Sequence, residues 1–84
     1  MNDPVIVRAK VREVLALNPR RAFTEPMIFD GVKRLVPAEL TVSELRAAME
    51  WNHSRNFIDY TRDDDIDADV WSLTKNGRNK EGLK

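Results

Sequence analysis

The sequence predicts an α+β domain: a three-helix core followed by a C-terminal antiparallel β-hairpin. Apolar residues recur at helical spacing in three stretches before Arg55, and after Asn56 the period changes to alternation. A capping box at Thr41 and Glu44 marks one helix start, and two β-patterned runs flank an acidic turn.

Asp3 followed by Pro4 is a helix-start signal, because the Asp carboxylate accepts from free backbone N–H groups and Pro at the first helical position loses no needed donor. Val7, Val11, Val14 and Leu15 then share one face, flanked by Ile6 and Leu17. The first helix is predicted over Pro4 to Leu17, ended by Asn18 in a left-handed cap and by Pro19. Arg20 to Phe23 is too short for a helix and reads as an extended segment leading to an N-cap at Thr24. Ile28, Phe29, Val32, Leu35 and Val36 form the stripe of a second helix that stops before Pro37. Gly31 weakens that helix, and the expected reason is close approach of another backbone.

Leu40-Thr41-Val42-Ser43-Glu44-Leu45 is the clearest local signal. Thr41 and Glu44 satisfy each other's backbone donors, while Leu40 and Leu45 stand at the staple positions that set the angle at which the chain enters the helix. On the third helix, residues 42 to 55, Val42, Ala48, Met49 and Asn52 lie near the buried Leu45, whereas Ser43, Ala47, Glu50 and Ser54 point away. Asn56 suits a left-handed cap. Ile58 and Tyr60 share one strand face, as do Trp71 and Leu73, so the segments pair as a hairpin whose apolar face covers the helices; Tyr60 and Trp71 are expected in the core. Asn76-Gly77 ends the second strand, giving a domain over residues 1–77 and a flexible polar tail over 78–84.

A chain of 84 residues with 42% apolar and 33% charged side chains supports one core, so most large apolar residues are needed for packing. The absence of cysteine removes disulfides, thiolate metal sites and cysteine nucleophiles. MNDPVIVRAK has too short an apolar run for a signal peptide, nothing approaches a membrane span, and the expected location is the cytoplasm. No glycine-rich phosphate loop, catalytic carboxylate pair or metal-ligand spacing is present, so neither an enzyme, a cofactor nor a small-molecule substrate is expected. Asp63, Asp65 and Asp67 alternate as in a calcium loop, but Ala68 stands where Gly is needed and Thr74 where a bidentate Glu would close the cage. His53, the one histidine, is expected at a solvent edge or in packing.

Fourteen basic and fourteen acidic residues cancel, but unevenly. Six acids (Asp59, Asp63, Asp64, Asp65, Asp67, Asp69) and one base (Arg62) leave residues 59 to 69 at −5 and the rest of the chain at +5.

The order of elements, with TVSELRAAMEW as third helix, RNFIDY leading into a first wing strand and VWSLTKNG as a second, resembles the winged helix-turn-helix superfamily over about Arg8 to Gly77. The resemblance implies a DNA-binding protein, such as a small transcriptional or phage-type regulator, with its third helix in the major groove of double-stranded DNA. It implies that Ser43, Arg46, Ala47, Glu50, Ser54 and Arg55 face the groove, with Arg46 donating a two-pronged bond to guanine and Ser43 and Ala47 permitting close approach. Arg20, Arg21, Lys33, Arg34, Lys75, Arg78 and Lys80 would neutralise phosphates if they lie on one side. Glu50 would accept from a cytosine amino group and repel phosphate, and the acidic wing should point away from DNA.

The alternative is a protein-interaction module that uses the acidic wing, Asp63, Asp64, Asp65, Asp67 and Asp69, together with Trp51, to form a homodimer or capture a basic protein partner. Trp51 lies well off the Leu45 seam, so either the wing folds over it or it is an exposed anchor.

Overall fold

The Asp3 carboxylate accepts the Val5 N–H and Pro4 opens the first helix, α1 (Pro4–Ala16), in the computed structural model, which describes residues 1–83. Val7, Val11, Val14 and Leu15 form its buried stripe. The helix stops one residue earlier than expected and Asn18 is not left-handed. The Leu17 N–H turns back to the Val14 carbonyl, tightening the last turn, so no left-handed residue is needed before Pro19.

Phe23–Thr24 is a two-residue strand, β1, and Thr24 caps the second helix, α2 (Glu25–Lys33), by accepting from the Met27 N–H. The predicted stripe of α2 is divided between helix and turn: Ile28 and Val32 are buried on the helix, Val36 is buried beyond its end, and Leu35 is exposed. Two constraints stop the helix early. Pro37 disfavours a helical Val36, and the nearly buried Asn2 grips the connection, donating from Nδ2 to the carbonyls of Ala38 and Glu39 and accepting the Ala38 N–H. Gly31 admits a side chain, not a backbone: a Cβ there would stand 2.8 Å from Val14 Cγ1.

The third helix, α3 (Val42–Ser54), carries the complete capping box over a buried Leu40 and Leu45. Leu45, Ala48, Met49 and Asn52 face inward as expected, but Val42 is 51% exposed. Leu40, at the staple position before the helix, is buried instead. The Asn2 N–H also reaches Glu44 Oε2 at 2.8 Å, tying the N-terminus to the start of α3.

Asn56 does adopt φ 61° and turns the chain into strands β2 (Ile58–Asp63) and β3 (Ala68–Leu73). They pair antiparallel with Ile58 opposite Leu73 and Tyr60 opposite Trp71. The hairpin is extended to a three-stranded sheet in the order β1-β3-β2, because Phe23 pairs with Trp71 and Thr24 with Val70. Ile58 and Leu73 enter the core, but Tyr60 is 46% exposed and Trp71 half-buried. The small helical layer covers the base of the hairpin and leaves the aromatic pair, 4.8 Å between ring centroids, at its margin.

The segment expected as a loose tail is instead folded as far as residue 83, and Lys84 lies outside the described residues. Thr74 caps a short helix, α4 (Lys75–Lys80), by accepting from the Gly77 N–H. Gly82 takes φ 76° while the Leu83 N–H returns to the Arg78 carbonyl, a glycine-closed helix end that lets Leu83 pack on the core. Among the described residues no helix is long and apolar enough to cross a membrane.

Two predictions test this construction. A Cβ on Gly77 would stand 1.9 Å from the Phe57 carbonyl oxygen, so Gly77→Ala should cost about 1–3 kcal/mol in urea unfolding by displacing α4. Bonds from the backbone N–H groups of Thr41 and then Asn2 hold the Glu44 carboxyl below its ordinary value of 4.5. The unfolded chain protonates Glu44 first, so its stabilising contribution is complete above that value and disappears as pH falls through the lower folded one. Glu44→Gln should therefore flatten the acid side of the stability curve, read by urea midpoints from pH 6 to pH 3.

Candidate nucleic-acid interface

With Leu45, Ala48, Met49 and Asn52 turned inward, α3 leaves Ser43, Arg46, Ala47, Glu50 and Ser54 exposed, with Arg55 exposed at its C-cap. Their chemistry is not uniformly available. Ser54 Oγ donates to the Trp51 carbonyl at 2.7 Å, so that hydroxyl is engaged within its own helix. Ser43 and Ala47 border an open groove of about 650 Å³ between α3 and the start of α1, lined also by Met1, Pro4, Arg8 and Glu44.

Arg46 is 68% exposed along its side chain and bound to Glu25, the first residue of α2. Nε donates to Oε1 at 2.9 Å and Nη2 to Oε2 at 3.3 Å. This two-pronged contact raises the guanidinium pKa above its ordinary value, through hydrogen bonding first and charge second. It occupies the Nε–Nη2 edge and leaves the Nη1–Nη2 edge with two parallel N–H donors turned away from Glu25.

A second group of residues converges where α1, the end of α3 and α4 meet. Arg8 and Arg55 place their guanidinium carbons 4.7 and 5.0 Å from the Trp51 ring centre. Trp51 leans on Phe57 with 6.1 Å between centroids, and Arg12 and Lys80 lie 5.5 and 5.9 Å from the Phe57 ring. Arg12 is held by the Glu81 carboxylate at 3.1 Å and by Asn52 Oδ1 at 2.9 Å. Trp51 is half-buried, covered by arginine rather than by the hairpin, and it is no bare anchor.

The other basic positions do not gather on α3. Arg20 and Arg21 are exposed in the turn after α1, Lys33 pairs with Asp30 at 3.1 Å, and Lys75 is exposed at the start of α4. Arg78 is half-buried and donates from Nη1 to the Leu73 carbonyl, so it closes the end of the sheet.

In the acidic turn, Arg62 pairs with Asp67 and, at 3.7 Å, with Asp69, while Asp63 accepts the Asp65 N–H. Asp67 adopts φ 52°. The turn begins five residues beyond Ile58 along β2, roughly 16 Å from the hairpin base at about 3.3 Å per residue. Trp51 packs beside that base against Phe57, so it and the acidic turn are not one patch. His53 sits at the solvent edge, 3.4 Å from Asp59 and beside Tyr60 and Trp71. Among the described residues no three His, Cys, Asp or Glu side chains converge as a metal site.

Sequence reasoning missed Glu25, Arg8, Arg12 and Phe57. Glu25 carried a signal in the first turn after the Thr24 cap, where a carboxylate is favoured. Arg8 and Arg12 stand one helical turn apart along the edge of the Val7 and Val11 stripe, and only the packing of α3 identifies what they meet.

Replacing Glu25 separates positioning from stability. Glu25→Gln should change unfolding free energy by less than about 1 kcal/mol, as expected of an exposed pair, while shifting the Arg46 Nε–H resonance and quickening its exchange with water. No family model matches the chain, and neither a curated protein nor a solved structure matches it.

Proposed function

We propose that this chain is a winged-helix domain that binds double-stranded DNA through α3, in the manner of a small transcriptional or phage-type regulator. The observation that carries the reading is topological. The elements run α1-β1-α2-α3-β2-β3, β3 lies between β1 and β2, and the sheet packs behind a capped helix whose outer face is open. That arrangement suits insertion of α3 into a major groove about 12 Å wide, with Ser43 and Ala47 small enough for close approach.

Arg46 is the base-reading residue in this proposal. Glu25 restrains its fork, and the open Nη1–Nη2 edge matches the O6 and N7 acceptors of guanine. Glu50 disfavours phosphate and accepts from cytosine, so it contributes selectivity rather than affinity. The acidic turn points away from the duplex, which leaves α3 and the cations near the hairpin base to make contact.

A second reading rests on one observation: Asp63, Asp64 and Asp65 stand at the hairpin tip with no cation paired to them among the described residues. On that reading the tip captures a basic protein partner. Trp51 is not part of that surface.

Titration of a random-sequence duplex at low salt, followed by amide NMR, distinguishes the readings. The α3 amides of Ser43 to Glu50 should shift, and Arg46→Ala should weaken binding to a selected site by about 1–3 kcal/mol. Unchanged amides from Ser43 to Glu50 at saturating duplex would end the proposal that α3 reads the groove.

A further inference from the structure

We infer that Arg8 and Arg55, mounted on Trp51, form a phosphodiester-binding site at the junction of α1, the end of α3 and α4. The inference rests on the DNA reading and adds a contact that the outer face of α3 does not supply.

Like charges are held together here. Each guanidinium carbon lies within 5.0 Å of the same indole centre, so the two are at most about 10 Å apart. Among the described residues neither guanidinium forms an ion pair, whereas Arg12, Arg46 and Arg62 each have a carboxylate. The indole orders both cations through the attraction of its ring face and leaves their N–H donors without a protein acceptor. Two oriented, unneutralised forks fit an acceptor-rich anion, and the planar guanidinium matches phosphate oxygens in pairs.

The surroundings reinforce that charge. Lys80 lies 5.9 Å from the Phe57 ring, adjacent to Trp51, with no acidic partner among the described residues. The carboxylate of Glu81 is bound to Arg12, and that of Glu44, which lines the same groove as Arg8, is taken by the N–H groups of Thr41 and Asn2. The Arg8 backbone is fixed against α3, because its carbonyl accepts from Asn52 Nδ2 at 3.1 Å. Arg55 is held by the C-cap of α3, its N–H bonded to the Trp51 carbonyl. The site therefore stands ready before any anion arrives, and it adjoins the helix proposed to enter the groove, where a strand's backbone would pass.

The test compares wild type with the Arg8→Gln/Arg55→Gln double variant on a random-sequence 20-base-pair duplex, measuring affinity across salt concentrations. Lys10→Gln, at a cation paired with Glu13 at 2.9 Å, serves as a charge control. Loss of two phosphate contacts should flatten the log affinity against log salt slope by about 1.8, with the control unchanged and the urea midpoint retained. In wild type, the Trp51 indole N–H resonance should shift with duplex. A double variant that is folded and binds with the wild-type slope overturns the inference while α3 shifts still support the DNA reading. Shifts at Trp51 without shifts in Ser43 to Glu50 keep this site and remove the groove-reading role of α3. If wild type at low salt instead self-associates in sedimentation, without binding duplex, and the double variant does not, the partner is the acidic turn of another copy and the phosphodiester assignment is wrong.

Discussion

The buried amide of Asn52 is the constraint on which the helical arrangement depends. It is fully buried on α3, and Nδ2 donates to the carbonyls of Ala48 and Arg8 while Oδ1 accepts from Arg12 Nη1. An unpaired amide in that position would cost about 1–3 kcal/mol, so α1 can approach α3 only in the register that supplies these partners. Arg12 extends the tie through Nε to Glu81, just beyond α4. One side-chain chain thus connects three helices that are distant in sequence. Arg8 and Trp51 flank it, one on each helix, so the basic surface inherits its geometry from the core.

What was legible in the sequence followed the range of each signal. α3 could be read because its capping box and staple lie within six consecutive residues. The hairpin could be read because alternation is a property of each strand by itself. β1 was legible only as an extended approach to the Thr24 cap, since two residues have no period and a strand is defined there by pairing with β3. α4 was hidden differently. Six polar residues have no apolar stripe, yet Thr74 at the start and Gly82-Leu83 at the end are ordinary helix punctuation that the polar composition masked. Misplaced side chains shared another cause: Val42, Leu35 and Tyr60 fit a stripe by angle but lie where a neighbouring element does not extend over them.

The candidate site shows the same limit. Exposure of Ser43, Arg46, Ala47, Glu50 and Ser54 followed from the helical angle once Leu45 was placed inward. The condition of Arg46 did not, because Glu25 is 21 residues away and is brought to it by the packing of both α2 and α3 on α1. Arg8 lay outside every local motif, and its importance arises from the indole that tertiary packing places beneath it. A charge count treats all fourteen bases alike, whereas the fold sorts them into cations engaged by carboxylates and cations held without one.

That sorting explains how an acidic hairpin can coexist with the proposed anion-binding surface on a chain of zero net charge. The tip acids lie roughly 16 Å along the strands from the hairpin base, about two Debye lengths at physiological ionic strength. Their repulsion at the Trp51 surface is therefore largely screened, while the contacts proposed for Arg8 and Arg55 would operate inside the screening distance. Arg62 reduces the tip charge further through Asp67 and Asp69. In the proposed encounter with a polyanion, the separated charges would act as a dipole that turns the positive end toward it, so the acidic turn would govern orientation more than affinity.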